Sequence, residues 1–328
     1  RARRFFVSLK AMGQRTRLKL MLRQLVLLSA WLIAQVACGQ QPDPKRPLGD
    51  AVIRGKVGDS EIVIKTTDRL AGAIHSLTWR GMEFIDSQDH GRQLQSACSF
   101  GGDGPFYAEA FNPTEAGSRH DGAGAASSSR LFLLRARGNC LETTTQMAFW
   151  LRPGEKSNEH PAKNKTVLSN YFLRKRVTIG SVSMPNVVEY IASFTVPEGE
   201  THTYAQFEAV TGYMPKKFSR FETYRFQTDQ LKPLSVEPRE QPLPIVFSTP
   251  DGRLAMGIFS PDQPSKRYEA AGYGRFAFWK QDVVKWNCVF RVRDPRGIKA
   301  GDYTYRNYVA VGTRDDVKAA LKRLHETK

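Results

Sequence analysis

The sequence predicts an all-β protein, a large antiparallel β-sandwich with one short helix at its C-terminal end. Three observations predict it. Apolar and polar residues alternate with a period of two in segment after segment from about Gly55 onward, which places side chains alternately on the two faces of a strand. The same segments are rich in Val, Ile, Thr and aromatic residues, the types that pack best on a pleated surface. Turn-forming groups such as Arg80-Gly81 and Arg137-Gly138-Asn139 separate them, so neighbouring strands join as hairpins. With 328 residues, 41% hydrophobic and 11% aromatic, the chain can bury a sizeable core.

The elements follow in order. Residues 1–23 hold eight basic residues and no acid, and an apolar run follows from Leu25 to Ala37. A basic stretch, a short apolar stretch and small residues after it make an export signal. The run is shorter than the roughly 20 apolar residues of a membrane-crossing helix. Residues 1–39 therefore read as an export signal, which places the protein in the periplasm or outside the cell. Cys38, preceded by Val36 and Ala37, is the position a lipid anchor would use, although Gln35 stands where such signals carry Leu. Residues 40–54 read as a linker, since Gln40 to Asp50 has three prolines and no periodicity.

Residues 55–328 read as a single β-sandwich domain. Strand patterns cover 61–67, 73–79, 82–86, 130–136, 140–151, 171–180, 187–196 and 204–213. Further strand patterns cover 245–249, 254–260, 275–280, 285–293 and 303–313. The Pro-rich piece from Leu231 to Pro244 reads as a long connection within the domain, because neither flank changes composition. One helix is expected after Thr313. Thr313 is the N-cap, Asp315 and Asp316 sit in the first turn, and Val317, Leu321 and Leu324 form an apolar stripe.

The stretch "SLTWRGMEFIDSQDHGRQLQSA" has Trp79, Gly81, Glu83, Asp89, Gly91, Arg92 and Gln93 in the pattern that opens galactose-mutarotase-like domains. "FNPTEAGS" and "EAVTGYMPKKFSRF" look like blocks shared by exported relatives of that superfamily. The chain resembles the galactose-mutarotase-like superfamily in these motifs, over most of 55–328. The resemblance implies a β-supersandwich of antiparallel sheets. It also implies carbohydrate chemistry, because the group includes aldose 1-epimerases and domains of polysaccharide lyases and glycoside hydrolases. The "NHGG"-type histidine segment of true epimerases is missing, and "HTYAQF" (His202 to Phe207) is similar to their "H-x-Y-F" segment.

The segment from Asp89 to Gly122 reads as a long polar loop, and Ser99 to Ser129 contains six glycines. Long loops inside compact domains are often functional. His90, Arg92, Glu115, His120 and Asp121 bring acid/base and charge-clamping groups together there. Epimerisation and β-elimination need a base and an acid on opposite sides of the substrate. A histidine with a carboxylate partner serves either role near neutral pH, and Arg92 can pair bidentately with a uronate. The candidates for catalysis are His90, Arg92, His120 and Glu208. Glu208 lies mid-strand, and it needs a partner or a cleft if it turns inward. The candidates for substrate binding are Asn112, Glu115, Asp121, Trp279 and Trp286. Asn112 is either a turn former or an amide for sugar hydroxyls. The two tryptophans either stack on sugar rings or fill the core.

The formal charge of +17 falls to +9 once the eight basic residues of 1–23 are set aside. In an exported protein that surplus points either to acidic polysaccharide or an envelope surface, rather than nucleic acid, or to solubility alone. Three cysteines remain, Cys98, Cys140 and Cys288. None forms a C-x-x-C, so no metal and no cofactor is expected, and either one disulfide or buried free thiols fits. The functional expectation is an exported carbohydrate-active protein, of epimerase or lyase type, that works on a sugar or uronate by histidine acid/base chemistry. The alternative is a noncatalytic glycan-binding or envelope protein.

Overall fold

The computed structural model describes residues 47–102, 104–265 and 272–327, and 47–328 form one compact unit. The export segment and Cys38 lie outside the described residues. Among the described residues no helix is long and apolar enough to cross a membrane.

Two antiparallel runs of strands face each other. The first sheet runs, side by side, through Ala51–Val57, Ser60–Thr66, Ile74–Trp79, Leu94–Gly101, Tyr204–Pro215, Val283–Arg293, Tyr273–Phe278 and Arg239–Gln241. The second runs through Arg130–Arg137, Cys140–Phe149, Leu168–Ile179, Val187–Val196, Gly301–Gly312, Ala255–Phe259, Ile245–Ser248, Arg220–Arg225 and Gln230–Pro233. The short Pro113–Thr114 strand pairs with both and joins them. Ile64, Leu77, Cys98, Phe207 and Phe290 of the first sheet pack with Leu141, Leu173, Val177, Phe194 and Val309 of the second in one core. Burying each such side chain contributes about 1.5–3 kcal/mol.

The helix Arg314–Glu326 covers the outer face of the second sheet. Thr313 caps it through a capping box with Asp316, which satisfies two of the free N–H groups at its start. Val317, Ala320, Leu321 and Leu324 pack on Val246, Ala255, Tyr308 and Ala310. Gly257 permits that contact, since a Cβ there would come within 2.6 Å of Val317 Cγ1.

Three expectations shift. The first strand begins at Ala51, inside the segment read as linker. Leu94–Gly101, inside the segment read as loop, is a strand with every residue buried. Its alternation is blurred in sequence, because Ser96 stands at a core-facing position and Ala97 at a cleft-facing one. The glycine-rich stretch after it is not structureless: it carries the 3-10 turns Ala108–Phe111 and Arg119–Asp121 around the Pro113–Thr114 bridge. The Pro-rich connection ends one sheet with Gln230–Pro233 and the other with Arg239–Gln241, so it passes between them. All three described cysteines are free thiols, with Cys98 and Cys288 in the core.

Candidate functional site

The site follows from an irregularity in Tyr204–Pro215. Its pairing with Val283–Arg293 steps from Glu208↔Val289 to Val210↔Cys288, and its pairing with Leu94–Gly101 steps from Glu208↔Ala97 to Thr211↔Gln95. This is a β-bulge, which inserts one residue and re-aims the side chains beyond it. Gln206 and Glu208 face outward before the bulge, and Thr211 and Tyr213 do so after it. Ala209 and Val210 between them are both buried in the core.

These outward residues form the floor of a cleft of about 410 Å3 on the outer face of the first sheet. Neighbouring strands add Gln95, Ala97 and Ser99, then Lys285 and Asn287, then Phe276 and Phe278. Glu109, Asn112, Thr114 and Trp150 close one side, and Glu240 lies on the other. Gly91 lets Trp150 approach, because a Cβ there would meet Trp150 Cη2 at 2.7 Å. Larger hollows of about 790 and 800 Å3 lie beside the helix and around 249–254. Neither has a glutamate–lysine pair and a set of amides on the floor of a sheet.

Lys285 stands at the centre of the electrostatics. Its Nζ lies 3.2 Å from Glu208 Oε2, with the two side chains 14% and 18% exposed. It also sits 5.2 Å from the Tyr213 ring centroid and 5.3 Å from that of Phe276, so the ammonium is held by ring faces as well as by charge. Burial works against that charge, but Glu208 and Tyr213 outweigh it and push Lys285 above its ordinary value. Burial also raises the Tyr213 phenol, with Lys285 opposing, so the hydroxyl keeps its proton. Arg291 Nη2 reaches both Glu240 oxygens at 2.6 Å, and Ser157 Oγ donates to Glu109. The arrangement presents fixed donors, fixed acceptors and flat apolar rings to one small space.

Of the residues expected from sequence, Glu208 and Asn112 line this cleft. Asn112 Nδ2 donates to Cys98 O at 2.8 Å and Ser99 Oγ at 3.0 Å. The others lie elsewhere. His90 is fully buried, with Nδ1 2.7 Å from Gly122 O and Nε2 2.8 Å from Arg69 O, so it ties two backbone segments together. Arg92 is occupied by Asp89 at 3.1 Å, at the foot of the Trp279–Gln281 turn. His120 is 54% exposed and faces Glu155. Asp121 accepts the Ser118 and Ser128 N–H groups, both at 2.8 Å, and so shapes its own turn. Glu115 is fully buried against Lys175. Trp286 faces the core and donates to Met214 Sδ at 3.3 Å, while Trp279 stands 45% exposed on a turn. The two tryptophans therefore form no shared platform, and the cleft's aromatic wall is Phe276 and Phe278.

Sequence reasoning missed Lys285, Glu240, Gln95, Gln206, Asn287 and the two phenylalanines. One signal was present in "YAQFEAVTGY": polar positions 206 and 208 are followed by 211 and 213, with two apolar residues between. That phase jump is what a bulge looks like in sequence. Among the described residues no group of His, Cys, Asp and Glu gathers that could hold a metal ion.

No protein-family model matches the chain, and no curated protein matches it. Solved structures do. An alpha-mannosidase from Enterococcus faecalis V583 is similar at a TM-score of 0.50 and 9% identity, over 86% of this chain and 31% of that one. Slr1438 from Synechocystis sp. PCC 6803 is similar at 0.44 and 10%, over 83% and 98% of the two chains. YeaD from Salmonella typhimurium is similar at 0.34 and 9%, over 86% and 100%. This chain thus spans about a third of the mannosidase, with which it shares two-sheet architecture and little sequence. The chain is a two-sheet antiparallel β-sandwich, the fold it shares with that part of the mannosidase.

Proposed function

We propose that the outer-face cleft binds a neutral saccharide and that the chain is an exported carbohydrate-active protein. The observation that carries this is the lining itself. The Gln206 amide and Asn287 Nδ2 face the same space as Glu208, Lys285 and the Phe276 and Phe278 rings, while Gln95 and Asn112 line it with their amides bonded to protein groups. Amides both donate and accept, which matches sugar hydroxyls, and a sugar's C–H face packs on an aromatic ring. The fold shared with the mannosidase is consistent with this reading. With Lys285 matched to Glu208 and Arg291 to Glu240, Glu109 is the carboxylate left over in the lining. The basic character of the whole chain therefore does not extend into the cleft, and a uronate would meet like charge there. Export rests on the N-terminal sequence alone.

A catalytic reading centres on Glu208 rather than on histidine, because the bulge aims its carboxylate into the cleft beside two proton-bearing groups, Lys285 and Tyr213. Glu208 would take a proton, and the tyrosine or the ammonium would hold the developing charge on oxygen.

Calorimetric titration with a panel of neutral and uronate glycans tests the proposal, with anomer ratio and unsaturated products followed in parallel. Neutral glycans bind, and Phe276→Ala weakens them by up to about tenfold, since ring stacking is worth roughly 0.5–1.5 kcal/mol. If Glu208 is catalytic, Glu208→Gln retains binding and loses turnover. A panel with no binder, or binding that ignores Phe276→Ala and Lys285→Ala, overturns the proposal.

A further inference from the structure

Lys175 breaks the pattern of its strand. In Leu168–Ile179 the core-facing positions are Tyr171, Leu173, Lys175, Val177 and Ile179, and only Lys175 is charged. Its ammonium pairs with the Glu115 carboxylate, and both side chains are 0% exposed. Glu115 follows the Pro113–Thr114 strand that bridges the two sheets. Its Oε2 accepts the Ser96 N–H at 3.1 Å, and its own N–H donates to Ser96 O at 3.1 Å. Ser96 is thus gripped on both sides of its peptide. Ser96 Oγ then donates to the Ala209 carbonyl at 2.7 Å and lies 2.9 Å from Tyr190 Oη. The Tyr190 hydroxyl also bonds to the Glu115 carboxylate, so the tyrosine joins the ion pair and Ser96 in one network.

Ala209 is the extra residue of the bulge directly beneath Glu208. A bulge disrupts the ladder and leaves a residue unpaired, and a buried carbonyl without a partner is destabilising. Ser96 supplies the partner. The ion pair behind it is a weak source of stability, because removing two charges from water offsets most of their attraction. Apolar replacements of similar volume are often equally stable or more so. Its place one serine away from the bulge gives it a different use.

We infer that the Glu115–Lys175 pair, acting through Ser96 with Tyr190, is a positioning device that fixes the Ala209 bulge and so aims Glu208 and Thr211 into the cleft. The inference concerns the backbone of the cleft floor, and only its saccharide arm rests on the proposed function.

Residue-resolved amide hydrogen exchange on the double variant Lys175→Met/Glu115→Met and on Ser96→Ala tests it, with saccharide titration alongside. The double variant removes both buried charges but leaves the Ser96 N–H without its acceptor, so its urea midpoint falls less than that of Lys175→Ala alone, yet exchange across 208–211 quickens about tenfold in both variants, the factor equivalent to about 1.4 kcal/mol. Amides of Ala255–Phe259 on the other sheet change less than about twofold, as expected for sites that share no partner with the network. A saccharide that binds the parent binds both variants about tenfold more weakly. Exchange at 208–211 that stays at the parent rate, or rises only in step with Ala255–Phe259, overturns the inference. Unchanged affinity in variants of a saccharide-binding parent overturns it too. If the parent binds no saccharide, the proposed function fails and the exchange result alone decides the inference.

Discussion

Two glutamate–lysine pairs share one chemistry and differ in what they can reach. Glu208 and Lys285 lie on the outer face of the first sheet and remain 18% and 14% exposed. Glu115 and Lys175 lie between the sheets and are sealed at 0%. The open pair can exchange its partners for a ligand's hydroxyls. The sealed pair can meet only the protein around it, the Ser96 backbone and the Tyr190 side chain. Burial rather than residue type decides which pair is available for chemistry, and Ser96 with the Ala209 bulge links them.

That contrast is breakable, beginning with the largest effect. Lys175→Ala leaves the Glu115 charge buried without its partner, which costs about 3–5 kcal/mol, read as a lowered urea midpoint. Lys285→Ala removes the cation from a pair that keeps some access to solvent, so it lowers the urea midpoint less than Lys175→Ala does. Saccharide affinity in the same variant falls about tenfold. Equal destabilisation by the two substitutions would erase the distinction between the pairs.

The smallest effect concerns pH and sharpens the comparison by adding an ionisable group of intermediate burial. His202 packs against Phe100 and Phe111, and burial lowers its pKa despite the opposing pull of Glu200. Burial lowers His75 as well. The unfolded chain then binds protons more readily than the folded one. Stability is full above the ordinary histidine value of about 6.5 and is lost as pH falls through it. Urea midpoints between about pH 7 and pH 5 should decline, and His202→Gln should flatten the decline. A slope that His202→Gln leaves unchanged removes His202 as its source.

The fold was legible because its signal is periodic. Leu168–Ile179 and Val187–Val196 alternate buried and less buried positions along most of their length, and the helix after Thr313 carries its cap and its stripe in plain sequence. Leu94–Gly101 was not legible, since Ser96 on its core side and Ala97 on its cleft side break the alternation of Leu94, Cys98 and Phe100 with Gln95 and Ser99. The site was legible only at Glu208 and Asn112. Sequence reasoning sought it in one contiguous segment rich in histidine and acids. The chain assembles it from strands more than a hundred residues apart, such as Leu94–Gly101 and Val283–Arg293. His90 and Asp121 shape turns by bonding to backbone groups, and nothing in a residue's identity distinguishes that use from catalysis. The bulge phase in "YAQFEAVTGY" was the one long-range clue.

Chemical-shift mapping of the bound saccharide tests the central claim most directly. Perturbations that cluster on Gln206, Glu208, Thr211, Tyr213, Phe276, Lys285 and Asn287 are the predicted result. Perturbations that gather instead around Trp279 or in the hollow beside the helix would contradict it.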